Sequence, residues 1–325
     1  MVCKLKKGKS PGTDGLTPEF YQYFYEDIKE HLMSMLHECF VKGELSDTMK
    51  QALITLIFKG GDNLDLKNYR PISLTNYDYK ILAFVISNRI QKVITTLVHS
   101  DQVAYIKGRY IGNNARHILD VIEYAENFNE EGAIICLDFQ KAFDSLEWDF
   151  MFKALRHFNF GDNLIQWIQV MYTKPVSMIK NNGWIGKEIN ILRGIRQGCP
   201  ASALLFVLCT EIMNISLRSS PDVKGFIIGN VEKKLFAYAD DTELVVKNKE
   251  SIIHSLKLIE MFGKVSGLNL NKQKCIGIWL GPYKNTGDLY GDIRFTNEPV
   301  KCLGIYVGHS KAIQYQLNWS KKLID

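Results

Sequence analysis

The doublet Asp240-Asp241 constrains this chain more than any other feature. It interrupts two apolar runs, Leu235-Phe236-Ala237-Tyr238-Ala239 before it and Glu243-Leu244-Val245-Val246 after it. Both runs read as strands that favour burial, so the acids sit at the tip of a hairpin or beside its core. Two unpaired carboxylates there repel one another and resist desolvation unless a cation offsets them. An exposed turn, in which Asp is a favoured residue, accounts for the tetrapeptide equally well. The doublets Glu26-Asp27 and Glu130-Glu131 lie in polar surroundings and read as solvated faces.

Asp138 adds a third acid at the edge of an apolar element, after Ile134-Ile135-Cys136-Leu137. If the strand expected over 133–139 lies beside the 235–247 hairpin, all three carboxylates meet at one sheet end. An all-oxygen cluster suits Mg²⁺ or Mn²⁺ better than zinc. Two such ions can serve in-line phosphoryl transfer, at the attacking hydroxyl and at the leaving pyrophosphate. Asp144 falls outside this set. Asp144-Ser145-Leu146-Glu147 has the form of a capping box opening the next helix.

The rest of the chain reads as an α+β fold. Thr17 and Pro18 suit the start of an amphipathic helix carrying Phe20, Phe24, Ile28, Leu32 and Met35 to about Cys39. A buried strand is expected over 51–58, helices near 76–97 and 114–128, and a helix after 139 running to about Phe158. Asn181-Asn182-Gly183 marks a hairpin within 175–192. A helix from Pro200 turns Leu204, Leu205, Leu208, Ile212 and Ile215 inward and stops at Ser219-Ser220-Pro221. A helix over 249–265 and a strand over 275–280 follow, which places a few strands against helices.

Composition sets bounds. The 325 residues are 46% hydrophobic and 23% charged, which excludes wholesale disorder. A net charge of +5 permits a polyanionic partner without requiring one. The uncharged run 197–210 is too short to span a bilayer, and the basic N-terminus lacks an apolar signal core, so no membrane partner is expected. Seven cysteines form no CxxC and no Cys/His metal spacing. Cys136 and Cys209 lie in apolar runs and read as small buried hydrophobes, which suits a reducing, intracellular setting, nuclear or cytoplasmic.

Several motifs together resemble the reverse transcriptases of LINE-type (non-LTR) retrotransposons. They are Tyr238-Ala239-Asp240-Asp241, Leu137-Asp138-Phe139-Gln140-Lys141-Ala142-Phe143-Asp144-Ser145 and Gly194-Ile195-Arg196-Gln197-Gly198-Cys199-Pro200. Lys9-Ser10-Pro11-Gly12-Thr13-Asp14-Gly15, Asn68-Tyr69-Arg70-Pro71-Ile72-Ser73-Leu74 and Cys302-Leu303-Gly304-Ile305 join them, in family order across nearly the whole chain.

The resemblance implies a right-hand polymerase, with fingers over roughly 1–130 and 151–190, palm over roughly 131–150 and 191–308, and the start of a thumb or a tail over 309–325. It implies Asp138 and Asp240 as main metal ligands with Asp241 supporting, and Lys274 as the proton donor to pyrophosphate. Lys272 is a neighbouring competitor for that role. It assigns Lys59 and Arg70 to the incoming triphosphate, Phe143 to exclusion of a 2′-hydroxyl, and Gln197 and Gly198 to the nucleotide and template pocket. Leu303-Gly304-Ile305 resembles the hairpin that grips the primer.

The partners so implied are an RNA template, a DNA primer and deoxynucleoside triphosphates. The family's upstream endonuclease, full helical thumb and Cys/His knuckle have no counterpart within the 325 residues, which suggests a fragment or decayed copy. An inactive nucleic-acid-binding remnant is the alternative function. A cyclase-like enzyme is weaker, because the motifs at Lys59 and Arg70 count against it.

Overall fold

The computed structural model describes residues 2–285 and 289–320. The chain divides into two compact units, one of residues 1–94 and 143–206, the other of 95–142 and 207–325. Part of the expected thumb or tail, residues 321–325, lies outside the described residues.

The first unit is built on a sheet. Strand Gln51–Phe58 pairs antiparallel with Tyr69–Thr75 at its edge and parallel with Val176–Asn181 on its other side. Val176–Asn181 turns back through Asn182 and Gly183, both with positive φ (47° and 84°), into Trp184–Ile185. Two successive left-handed residues suit the tight turn that Asn-Gly favours. Helices flank the sheet. The expected single helix to Cys39 is two, Pro18–Tyr23 and Tyr25–Lys42, because Phe24 leaves helical geometry at φ −94° and ψ 17°. Tyr21, Tyr77 and Ile81 bury a small core between these helices and Tyr77–Leu97.

The expected helix after residue 139 is also broken. Ala142–Ser145 forms one short turn and Trp148–His157 a separate helix. Asp144 therefore lies inside the short helix, and Glu147 occupies the cap position without a side-chain bond to the helix end, its carboxylate instead accepting from Arg193 at 3.3 Å. The capping-box reading fails because buried Leu146 is held between the two segments, its carbonyl accepting the Gly194 N–H at 2.8 Å.

The second unit is a sheet whose strands run in the order Leu289–Tyr290, Ile293–Phe295, Ile276–Leu280, Gly132–Leu137, Asp241–Val246 and Leu235–Tyr238. Helix Ile111–Asn127 packs Ile118, Val121, Ile122 and Ala125 against Ile134, Phe236, Val245 and Ile278. Helix Lys249–Ser266 is bounded by chemistry readable in the chain. Asn248 Oδ1 accepts the Ser251 N–H at 2.8 Å, and Gly267 ends the helix at φ +80°.

Helix Ser202–Ser219 begins two residues after Pro200 and is apolar and long enough to cross a bilayer, though two thirds of it (67%) is buried inside the protein. Cys136 is not the lone buried thiol expected; it is joined to Cys302, 166 residues on, with Cα atoms 6.3 Å apart. Cys209 is buried as expected, and burial pushes its thiol well up from the ordinary range.

Candidate active site

The sheet of the second unit explains how three acids distant in sequence become neighbours. Strand Gly132–Leu137 pairs antiparallel with Asp241–Val246, Leu137 opposite Thr242 and Cys136 opposite Glu243. Continuing that register by one residue sets Asp138 level with Asp241. Alternation then puts Asp138, Cys136 and Ile134 on one face of the strand, with Asp241, Glu243 and Val245 beside them. Strand Gly132–Leu137 is apolar over its length and Asp241–Val246 from Leu244 onward, and both reach the same edge, so the acids cap a buried core.

Asp138 and Asp240 are half-buried, whereas Asp241 keeps an exposed edge. The Asp241 carboxyl is nonetheless lifted to about 6, first by desolvation and then by the charges of Asp240 and Asp138. The like-charge contribution needs no deep burial, so the upward direction holds despite the exposed edge. Three mutually repelling carboxylates form a set that a divalent cation relieves, and an all-oxygen donor set fits Mg²⁺ or Mn²⁺. Their oxygens are not drawn into a closed ligand shell. Among the described residues, the group with ligand atoms all within 4.8 Å of one another is Cys136, Glu243 and Cys302.

Main-chain bonds fix the surroundings of Asp138. Its carbonyl accepts the Asn271 N–H at 2.7 Å, and the Gln140 N–H donates to the Asn269 carbonyl at 2.9 Å. Asn271 opens the turn that carries Lys274, which is exposed. Lys272, the competing lysine, is engaged with Asp292 at 2.9 Å.

Glu243 was not singled out in the sequence. Only 2% exposed, it accepts the Leu303 N–H on Oε1 at 3.2 Å, tying the 303–305 turn to the acid-bearing strand. Burial pushes its carboxyl well above the usual range. A glutamate inside an apolar strand was the available signal.

The remaining residues sit in the first unit. Arg70 lies opposite Ile57, and the Lys59 N–H donates to the Asn68 carbonyl at 2.8 Å, so both cations stand on one face at the loop end of the hairpin and are exposed. The Gln197 carbonyl accepts the Ser73 N–H at 2.8 Å, running the 194–198 loop along the free edge of Tyr69–Thr75. Gly198 has φ +107°, and a Cβ there would stand 2.8 Å from the Ser73 carbonyl oxygen. Phe143 is backed by Phe206 and presents its carbonyl to the Ile195 N–H at 2.7 Å.

With that geometry in place, similarity becomes decisive. A family model described as reverse transcriptase (RNA-dependent DNA polymerase) matches residues 57–307.

The chain belongs to the reverse transcriptase family.

It is a reverse transcriptase domain of the LINE-type (non-LTR) kind, and its relatives agree. It is 32% identical over 307 residues to the transposon TX1 uncharacterized 149 kDa protein of Xenopus laevis, covering 93% of this chain and 23% of that protein. It is 26% identical over 277 residues to the Pol polyprotein from the type-2 retrotransposable element R2DM of Drosophila melanogaster, covering 85% of this chain and 25% of that one. The chain thus spans about a quarter of the length of these curated relatives.

Among solved structures, the telomerase of Candida albicans in complex with an RNA fragment aligns with a TM-score of 0.55 at 13% identity, over 90% of this chain and 49% of that one. Apo telomerase of Candida tropicalis aligns at 0.53 and 15% identity, over 92% and 61%. At such identity the likeness is one of fold, and it agrees with the α+β polymerase architecture expected from sequence.

Proposed function

We propose that this reverse transcriptase domain is an RNA-directed DNA polymerase that extends a DNA primer with deoxynucleotides on an RNA template. The observation that carries the reading is the strand register that brings Asp138 level with the Asp240-Asp241 turn. Asp138 and Asp240 hold divalent cations, Mg²⁺ or Mn²⁺, with Asp241 supporting. Bound there, the ions supply positive charge at the attacking and leaving oxygens of phosphoryl transfer.

The chain's own residues do the rest. Lys59 offers a compact charge and Arg70 a planar fork to the triphosphate oxygens. The Phe143 ring excludes a 2′-hydroxyl, and the Gln197-Gly198 turn shapes the nucleotide and template pocket, glycine permitting close main-chain approach. The primer 3′-hydroxyl gives up its proton to solvent as its oxygen bonds to the α-phosphorus, the bond to pyrophosphate breaks, and Lys274 donates a proton to the departing pyrophosphate. The 303–305 turn grips the primer.

The functional division into fingers (1–130 and 151–190) and palm (131–150 and 191–308) belongs to the same proposal. It cuts the chain elsewhere than compactness does, because the 98–110 loop and helix Ile111–Asn127 pack with the acid-bearing sheet.

Primer extension on an RNA template, with Mg²⁺ or Mn²⁺, tests the reading. Wild-type chain should incorporate deoxynucleotides, and Asp240→Ala should lose at least about a thousandfold in rate. RNA binding that weakens with salt but yields no product under any metal condition would favour the remnant instead.

A further inference from the structure

The acidic turn contains a main-chain anomaly. Ala239, between Tyr238 and Asp240, has φ +58°. A side chain with a Cβ disfavours that left-handed region, so something must hold the residue there. Ala239 is 1% exposed, which removes water as a partner for its peptide groups.

Gln102 supplies both partners. Its Oε1 accepts the Ala239 N–H at 3.1 Å, and its Nε2 donates to the Ala239 carbonyl at 3.4 Å. Gln102 is fully buried (0% exposed), and the same Oε1 accepts the Ala104 N–H at 2.9 Å. Main-chain bonds seat this loop against strand Leu235–Tyr238. The Val103 N–H donates to the Ala237 carbonyl at 3.1 Å, and the Ala237 N–H donates to the Asp101 carbonyl at 2.9 Å.

Arg109 braces the loop from its other side. Its guanidinium donates to the carbonyl of Gln102 at 2.6 Å and to that of Val98 at 2.7 Å. The amide of Gln102 therefore has a fixed base from which to hold Ala239.

We infer that Gln102 is a positioning residue for the acidic doublet: by bonding both main-chain groups of Ala239 it holds the left-handed turn that keeps Asp240 and Asp241 beside Asp138. This rests on reading those acids as cation ligands, and the test separates the two ideas. Gln102→Met keeps the side chain's length and removes both bonds to Ala239 together with the one from Ala104, leaving three buried main-chain groups unpaired. A residue that only filled space would tolerate that exchange.

Mn²⁺ binding to the whole chain, followed by water-proton relaxation, is the first measurement. Asp240→Ala must abolish it; if binding persists, the ligand reading fails. Amide exchange at Ala239 is the second, and needs no metal. Gln102→Met should speed that exchange and weaken Mn²⁺ binding about tenfold, the scale of one unfavourable main-chain conformation. Adding Ala239→Gly should restore most of the Mn²⁺ affinity, because glycine adopts positive φ freely.

Gln102→Asn, whose amide falls one methylene short, should reproduce the loss and serves if the methionine variant does not fold. Unchanged Ala239 exchange in either variant, or Mn²⁺ affinity that Ala239→Gly does not restore, overturns the role of Gln102.

Discussion

The ring of Phe143 lies flat on that of Phe206, centroids 4.6 Å apart and planes 10° from parallel. Phe206 is fully buried in helix Ser202–Ser219, so the half-buried Phe143 ring has a rigid backing and cannot retreat from a crowding group. Phe143→Val removes the obstacle while keeping an apolar surface. It should raise the ratio of ribonucleotide to deoxynucleotide incorporation by about tenfold or more, as the proposed steric exclusion requires. Single-nucleotide extension with each sugar reads that ratio, and an unchanged ratio would remove Phe143 from sugar selection.

Asp78 provides a pH test away from the acids of the sheet. It is buried near the start of helix Tyr77–Leu97, and its Oδ1 accepts the Tyr79 N–H at 2.6 Å. Desolvation, with a smaller push from the charge of Asp14, raises its carboxyl from 3.8 to about 6. The folded chain thus holds this proton more tightly than the unfolded one. Stability falls as pH rises from 3.8 through about 6 and stays reduced above that. The shift corresponds to about 3 kcal/mol as an upper figure. Asp78→Asn should therefore raise the melting temperature near pH 8 and leave it nearly unchanged below about pH 3, where the carboxyl is neutral in both the folded and the unfolded chain. Equal gains at the two pH values would mean that charge burial is not the cause.

Gly198 is confined by its neighbour as well as by its backbone. With φ +107° and the Ser73 carbonyl oxygen 2.8 Å from any added Cβ, Gly198→Ala must displace the turn or the strand edge. The cost should be about 1–3 kcal/mol in unfolding free energy, with a raised KM for the incoming nucleotide. Denaturant melts and steady-state kinetics on the same preparation check both. A stable variant with ordinary KM would show that the turn's shape does not matter to nucleotide binding.

Features with local causes were legible in the sequence. The strand over residues 51–58 and the Asn182-Gly183 turn follow from apolar runs and turn chemistry. The meeting of Asp138 with the doublet was legible for the same reason, as each ends a strand too apolar to stay in water. Features settled by distant partners were hidden. Gln102 acts on the main chain of Ala239, 137 residues away, and a peptide group leaves no mark in the side-chain alphabet. The Cys136–Cys302 link and the parallel pairing of Gln51 with Val176 join segments that share no local pattern. Asp144 misled because a capping box describes which residues are present, not where the chain bends.

The register of strand Gly132–Leu137 has an evolutionary consequence. Side chains along it alternate between the two faces, so losing or gaining a single codon between Ile134 and Asp138 would swing the aspartate to the opposite side of the sheet. Descendants of this gene can exchange one apolar letter for another there, but they inherit a fixed count.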